Sequence, residues 1–257
     1  VENKHKIKGI FITHGHDDVV GALPKLLDVV NAPIYTAPLT ALMIEKLLRD
    51  LGKKVPEIHR VQRNSTIKVA GTTIKIFGMT MSIADGFGLA IKTSQGYVVY
   101  SSEYIIDYDI RNEAFKCDLA NFIDLANEGV LALITESVAA TREGHSAPNH
   151  RITNIIEPVF EGHEGRILIS TYSQNLYRFI EICELAHKYG RKIYIYDDNL
   201  KAYSQDLAKL GYYHMPTGLE IPTSRFSNNN DNAVIVIAGA GSTIFKKINK
   251  IAAEEDE

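Results

Sequence analysis

Residues 10–24 read IFITHGHDDVVGALP, and this stretch carries most of the information about the fold. Its β-branched and aromatic start predicts a strand over residues 7–13. The strand runs directly into His14, His16 and Asp18, two imidazoles followed by a carboxylate at a spacing of two residues. Imidazole nitrogens and carboxylate oxygens are donors that hold Zn²⁺ in proteins. The stretch therefore predicts a metal-binding loop at a strand end.

Gly15 lies between the two histidines. Glycine adopts backbone conformations that other residues avoid, so we expect it to bend the chain and direct both imidazoles to one ion. The apolar segment that follows predicts a helix over residues 19–30.

The composition is ordinary for a globular protein, with 257 residues, 45% hydrophobic and 23% charged. A net charge of −3 argues against a protein that coats nucleic acid, although it leaves room for a local basic groove. Cys117 and Cys183 have no C-x-x-C partner, which argues against a disulfide framework or a zinc ribbon. The apolar runs are too short to span a bilayer and the first residues lack a signal-peptide core, so we expect a cytoplasmic protein without membrane association.

The first part of the chain mixes helices with closely spaced strands. Pro38 suits the first turn of a helix that we predict from Pro38 to Asp50. Apolar runs separated by turn glycines predict short strands of an antiparallel or mixed sheet. The predicted strands cover residues 33–35, 57–62, 65–69, 72–78, 87–92 and 97–101, and a helix near 117–127 precedes a strand at 130–135 that we expect to be buried.

From about residue 150 strands and helices alternate. Strands are predicted at 166–171, 192–197 and 233–239, with helices at 173–189 and 199–209 between them. This alternation is typical of a small, parallel, doubly wound sheet.

Two turns in this second part are candidate phosphate sites. Ser173 and Asn175 follow a strand at a strand-to-helix turn, where backbone N–H groups and a hydroxyl can hold a phosphate of RNA. The alternative is that Ser173 caps the helix. Residues 239–242 read GAGS, but Ile244 occupies the third glycine position of G-x-G-x-x-G, which disfavours dinucleotide binding.

Co-linear blocks resemble ribonuclease J, a β-CASP member of the metallo-β-lactamase superfamily, and most of all the divergent second paralogue of Gram-positive bacteria. FITHGHDDVVGALP is similar to the family's ITHGHEDHIGGIP, and the other similar blocks span nearly the whole chain. They are MSIADG (81–86) for HSIPDS, VVYSSEYIIDYD (98–109) for a TGDFKFD block, GVLALITES (129–137) for GVL-L-SDS, RILISTYSQNLYR (166–178) for a strand–turn–helix block, GRKIYIYDDNL (190–200) for GRKV-x-GRS, and IAGAGSTIF (237–245) for a TGSQGEP loop.

The resemblance implies a centre of two Zn²⁺ ions sharing a hydroxide, and this chain departs from its ligand set. For one ion His14 and His16 are retained, but Met81 stands at the third histidine position, and a thioether is a poor Zn²⁺ ligand. For the other ion Asp18 is retained, whereas Val19 replaces a histidine.

Carboxylates complete the implied set. Glu103 aligns with the bridging aspartate and is one methylene longer, and Glu136 aligns with the aspartate of the SDS block. Asp18 and Glu136 are the candidate catalytic groups.

His145 and His150 are interpreted as surface imidazoles, with the lining of an RNA-facing cleft as the alternative. A further histidine ligand is expected beyond the last residue.

The resemblance predicts an α/β fold of two domains. Residues 1–148 are expected to form a metallo-β-lactamase αββα-type domain without its N-terminal strands, and residues 149–257 part of a doubly wound β-CASP domain. The implied function is RNA processing and decay. We expect a weak or inactive nuclease without cofactor, or with weakly bound Zn²⁺ or Mn²⁺, which binds RNA and associates with itself or with an active ribonuclease J paralogue. The alternative is a competent metal-dependent 5′–3′ exoribonuclease and endoribonuclease.

Overall fold

The structure, a computed structural model, describes residues 2–138, 140–144, 151–227 and 230–255. The chain divides into two units, Val1–His150 (unit 1) and Arg151–Glu257 (unit 2). None of the described helices combines the length and apolar character that crossing a bilayer requires.

Unit 1 contains two sheets and short connecting helices. Its strands are β1 (Ile10–Ile12), β2 (Ile34–Thr36), β3 (Ile58–Arg60), β4 (Ser65–Val69), β5 (Thr72–Gly78), β6 (Phe87–Thr93), β7 (Gly96–Ser102) and β8 (Val130–Thr135). Its α-helices are α1 (Asp17–Val20), α2 (Leu23–Leu26), α3 (Pro38–Asp50) and α4 (Leu119–Glu128).

Side-chain alternation along β1 and β2 explains the layers of unit 1. In the described residues, β1, β2 and β3 form a parallel sheet in that order. Ile12 and Ile34 point to one face, where they pack with the α3 residue Ile44. Phe11 and Tyr35 point to the other face and pack against a cluster on β5 and β6. Since successive strand residues face opposite sides, this sheet is apolar on both faces and lies between helices and the second sheet.

The second sheet has the order β4-β5-β6-β7-β8 among the described residues, antiparallel except for the parallel pair β7–β8. Ile74, Ile76 and Leu89 face the first sheet. On the outer side Phe77 meets Phe122 of α4 edge to face, with ring centroids 5.2 Å apart. Unit 1 therefore has helix, sheet, sheet and helix layers, the αββα arrangement expected from the sequence.

Two predicted elements of unit 1 differ from the structure. The helix predicted at 19–30 is divided into α1 and α2, because Gly21 ends the first and Pro24 begins the second. A side chain at position 21 would have its Cβ 2.5 Å from the Asp17 carbonyl oxygen. The strand predicted at 7–13 is shorter, Ile10–Ile12.

β8 has the predicted bounds but not the predicted burial. Val130, Leu131, Leu133 and Ile134 expose 44–52% of their surface. An apolar run is typical of a strand covered on both faces, but it reports only side-chain polarity and not which element covers it. The prediction of a buried strand was therefore wrong for the residues described.

Unit 2 has the predicted alternation of strands and helices. Its elements are α5 (Thr153–Gly162), β9 (Ile167–Tyr172), α6 (Leu176–Lys188), β10 (Ile193–Tyr196), α7 (Asp198–Lys209), β11 (Val234–Gly239) and α8 (Thr243–Ala252). Within the described part of unit 2 the strand order is β10-β11-β9, all parallel, which confirms the predicted parallel sheet. The sequence did not predict α5. The start of α5 is held by buried Glu181 of α6, whose carboxylate accepts hydrogen bonds from Ile152 N and Thr153 Oγ1.

A buried carboxylate fixes the loop between β5 and β6. Asp85 has a φ of 52°, and its Oδ2 accepts a hydrogen bond of 2.9 Å from Leu39 N in the first turn of α3. Its own N–H donates to the Ala114 carbonyl at 2.6 Å. Asp85 therefore ties the loop that contains Met81 and Ser82 to a rigid helix.

We expect Asp85→Ala to lower the free energy of unfolding by about 2 kcal/mol, because an N-terminal N–H loses its acceptor and alanine tolerates the left-handed backbone poorly. Asp85→Asn keeps an oxygen acceptor and tolerates this backbone, so it should lose much less. Urea unfolding of both variants measures the difference. Equal losses would show that the acceptor is unimportant.

Candidate metal centre

The two histidines lie together where β1 ends. The imidazole rings of His14 and His16 have centroids 4.6 Å apart and meet edge to face, as the spacing predicts. His14 is buried, with 2% of its surface exposed, while His16 is partly exposed. Phe87 N donates to the Thr13 carbonyl at 3.1 Å, so the start of β6 holds the end of β1 in place.

Two carboxylates reach the histidines. Glu103, directly after β7, places Oε1 2.6 Å from His16 Nδ1 and 3.6 Å from His14 Nε2. One donor atom each of His14, His16 and Asp18 lies within 4.8 Å of the others. Since metal–ligand bonds to such donors are about 2.0–2.2 Å, small side-chain movements would bring these atoms onto one ion.

Two hydroxyl groups orient His14. Its Nδ1 lies 3.0 Å from Thr13 Oγ1 and 3.3 Å from Ser102 Oγ. Its Nε2 is buried and has no hydrogen-bond partner among the described residues. A buried polar atom without a partner is costly, so this nitrogen fits the role of a ligand to a cation.

His16 is engaged on both sides. Its Nε2 lies 3.0 Å from Ser82 Oγ, and its Nδ1 binds Glu103. A cation could use Nδ1 only if the Glu103 carboxylate moved away from it.

The charges of the cluster shift its pKa values. Burial, and after it the neighbouring His16, lowers the pKa of His14 to about 4, although Glu103 and Asp18 act in the opposite direction. The hydrogen bond from His16 is the main cause that lowers the pKa of Glu103. Partial desolvation, followed by the negative charges of Glu103 and Asp18, raises the pKa of Glu136. Glu136 therefore lies within electrostatic reach of the cluster.

Comparisons with known proteins support the resemblance to ribonuclease J. A family model for the ribonuclease J β-CASP domain matches residues 164–257. Ribonuclease J 2 of Staphylococcus epidermidis is 32% identical over 240 residues, which cover 93% of this chain and 43% of that protein. Ribonuclease J 2 of Staphylococcus saprophyticus is 33% identical over 240 residues, with the same coverage. The chain belongs to the ribonuclease J family.

This ribonuclease J chain spans less than half, 43%, of the length of the two staphylococcal relatives. Among solved structures, a protein of unknown function from Enterococcus faecalis V583 has a TM-score of 0.63 at 16% identity, covering 96% of this chain and 67% of that chain. The family match and the αββα layers of unit 1 confirm the predicted class, a metallo-β-lactamase-type α/β fold with a β-CASP domain.

The two positions that lack a family histidine contribute no nitrogen or oxygen donor. Met81 is buried and packs on Gly86, where an added Cβ would lie 2.4 Å from its Sδ. Val19 is partly buried and packs against the apolar cluster that includes Ile12 and Val20. Among the described residues, the donors near His14 could hold one cation and do not supply the nitrogen ligands of a centre of two zinc ions. Convergence of Met81 on the histidines stays a prediction.

Gly15 has a different role from the one predicted. Its φ does not lie in the left-handed region, so no special bend is needed. A Cβ at this position would instead lie 2.6 Å from Met43 Sδ and 3.2 Å from Ile83 Cδ1. Glycine is required here because α3 and the loop after β5 approach the backbone closely.

The candidate phosphate residues of unit 2 have partners within the unit. Ser173 Oγ donates to Asp197 Oδ1 at 2.9 Å, and Asp197 also binds Lys247 at 2.7 Å. Asn175, and not Ser173, caps α6, since its side chain accepts a hydrogen bond from Arg178 N. Phosphate binding by Ser173 and Asn175 stays a prediction.

Sequence reasoning missed three hydroxyl groups of the metal centre, those of Thr13, Ser82 and Ser102. Each is next in sequence to a residue that the family resemblance assigns to the site, but this adjacency alone does not show which histidine the hydroxyl contacts. His145 and His150 lie outside the described residues.

The shifted pKa of His14 predicts acid sensitivity of the protein without metal. Its pKa falls from 6.5 in the unfolded chain to about 4 in the folded protein. Below pH 6.5 the unfolded chain therefore takes up a proton that the folded chain does not, and the free energy of unfolding should fall by a few kcal/mol as the pH drops towards 4.

Urea unfolding between pH 7 and pH 4 measures this loss, with EDTA present. His14→Gln removes the titrating group, and we expect its stability to depend less on pH. The same dependence in both proteins would contradict the assignment of the loss to His14.

Proposed function

We propose that this chain is part of a ribonuclease J-type protein of RNA processing and decay whose own nuclease activity is weak or absent. In this proposal residues 1–148 belong to its metallo-β-lactamase domain and residues 149–257 to its β-CASP domain. The protein acts by binding RNA and by associating with itself or with an active paralogue. The observation that supports the proposal is that the described residues around His14 offer one cluster of three metal donors, His14, His16 and Asp18.

Counting donors gives the physical argument. A stable Zn²⁺ site takes about four ligands in fixed geometry. His14 Nε2 and the Asp18 carboxylate are available, and His16 Nδ1 becomes available only when Glu103 releases it. A second ion about 3.5–4 Å away would need donors of its own. Val19 can offer it only methyl groups.

Glu103 competes with a cation for His16. Its 2.6 Å contact with Nδ1 stabilises the protein without metal, so binding must replace this hydrogen bond. Weak binding of one Zn²⁺ or Mn²⁺ by His14, His16, Asp18 and Glu103 follows from this competition.

A bound cation would lower the pKa of a coordinated water and stabilise negative charge on a phosphodiester. Asp18 and Glu136 are the proposed catalytic carboxylates. Glu136 is exposed and its pKa is raised, so it is the carboxylate best suited to exchange a proton with solvent.

Exposed side chains of unit 2 support RNA binding. Tyr172 at the end of β9 exposes 58% of its surface, and Phe245 of α8 exposes 66%. Lys246 and Lys250 of α8 are also exposed. Exposed aromatic rings stack on bases and lysines contact phosphates, a combination common in proteins that bind single-stranded RNA.

The apolar surface of β8 supports association with another protein. Its four large apolar side chains each keep about half of their surface exposed, which is unusual for a monomer and typical of an interaction site.

The alternative, a competent nuclease, is favoured by the buried Nε2 of His14, which has no hydrogen-bond partner among the described residues. Elemental analysis of the purified protein, together with degradation of 5′-monophosphorylated RNA in Zn²⁺ or Mn²⁺, separates the two functions. We expect at most one weakly bound metal per chain and only slow degradation, which His14→Ala should lower to background because it removes a ligand of that metal. Two tightly bound metals, with turnover abolished in His14→Ala, would establish the alternative.

A variant with two restored imidazoles provides the matched control. Val19→His with Met81→His returns a nitrogen donor to each half of the family's ligand set. We expect this variant to bind more metal than the parent protein, measured by the same elemental analysis. An unchanged metal content would show that these positions are not the ones that limit binding.

A further inference from the structure

Ser102, which lies beside His14, has an unusual backbone conformation. It is the last residue of β7, it is buried, and its φ of 60° lies in the left-handed region. Glycine adopts this conformation without strain, whereas serine does not. The serine therefore imposes a cost that its hydroxyl must offset.

The Ser102 hydroxyl belongs to a small cluster of hydrogen bonds around His14 Nδ1. Thr13 Oγ1 lies 3.0 Å and Ser102 Oγ lies 3.3 Å from His14 Nδ1, and Thr13 Oγ1 donates to Ser102 Oγ at 3.4 Å. A hydrogen on Nδ1 therefore has hydroxyl oxygens beside it that can accept it.

The tautomer of His14 that carries its hydrogen on Nε2 is disfavoured. A hydrogen on Nε2 would be a buried donor without a hydrogen-bond partner among the described residues. Glu103 Oε1 lies 3.6 Å from Nε2, which is too long for a hydrogen bond, and it already accepts one from His16.

We infer that Ser102 is a positioning residue that, together with Thr13, holds His14 in its Nδ1–H tautomer and presents the Nε2 lone pair to a divalent cation. This inference rests on the cation site proposed above. It adds to that proposal a residue that orients the ligand His14 and contacts no cation itself.

Ser102→Gly and Ser102→Ala separate the hydroxyl from the backbone strain. Both remove the hydroxyl, but only glycine relieves the left-handed conformation. We expect Ser102→Gly to unfold at a higher temperature than Ser102→Ala, so a folded variant without the hydroxyl is available. Thr13→Val removes the other hydroxyl beside His14 Nδ1 and should have the same effect on His14.

The first measurement uses the protein without metal. Nitrogen-15 NMR of the imidazoles reports which nitrogen of His14 carries the hydrogen. We expect the Nδ1–H form in the parent protein and a mixture of tautomers in Ser102→Gly. An unchanged tautomer in both Ser102→Gly and Thr13→Val would overturn the inference.

The second measurement is Mn²⁺ affinity by calorimetry, which we expect Ser102→Gly to weaken by about 10-fold, as for other residues that orient a metal ligand. Unchanged affinity in a protein that binds Mn²⁺ would overturn the positioning role. Loss of the tautomer preference in a protein that binds no Mn²⁺ would support the role of Ser102 in orienting His14, and it would overturn the proposed cation site instead.

Discussion

The hydrogen bond between Glu103 Oε1 and His16 Nδ1, 2.6 Å long, connects the end of β7 to the loop that follows β1. The two strands belong to different sheets, and the four-layered packing of unit 1 brings their ends together. In the protein without metal this contact occupies a nitrogen that a cation would need. Because His14 Nε2 stays without a partner among the described residues beside it, the same cluster retains one site at which a cation could bind.

The cluster has residues that orient the two histidines, but it has no nitrogen donor at positions 19 and 81. Thr13 and Ser102 hold His14, Ser82 holds His16, and Asp85 holds the loop that contains Ser82. Hydrogen-bond partners of this kind fix the direction of metal ligands. In the proposal above, a cluster that keeps these contacts but has apolar side chains at positions 19 and 81 binds one cation weakly.

Local patterns in the sequence predicted much of the fold. The bounds of α3, β4, β5 and β8 agree with the predicted ones, since proline at a first turn and glycines between apolar runs are local signals. The sequence did not predict α5, whose first turn is bound by Glu181 from another helix, nor the exposure of β8. Both depend on contacts that are distant in sequence.

The same distinction applies to the metal centre. The pair His14 and His16 could be predicted, because their spacing is local and follows a strand. Ser82 and Ser102 could not, since they are 66 and 88 residues away from the histidines they contact. The hydroxyl groups of serine have many possible partners, and only the tertiary structure selects one.

Anomalous diffraction at the zinc edge, from crystals of the protein grown with excess zinc, counts the cations that the cluster around His14 binds. We expect a single peak, within about 2.0–2.2 Å of His14 Nε2. Two strong peaks roughly 3.5–4 Å apart, at the separation of a dinuclear hydrolase centre, would contradict it.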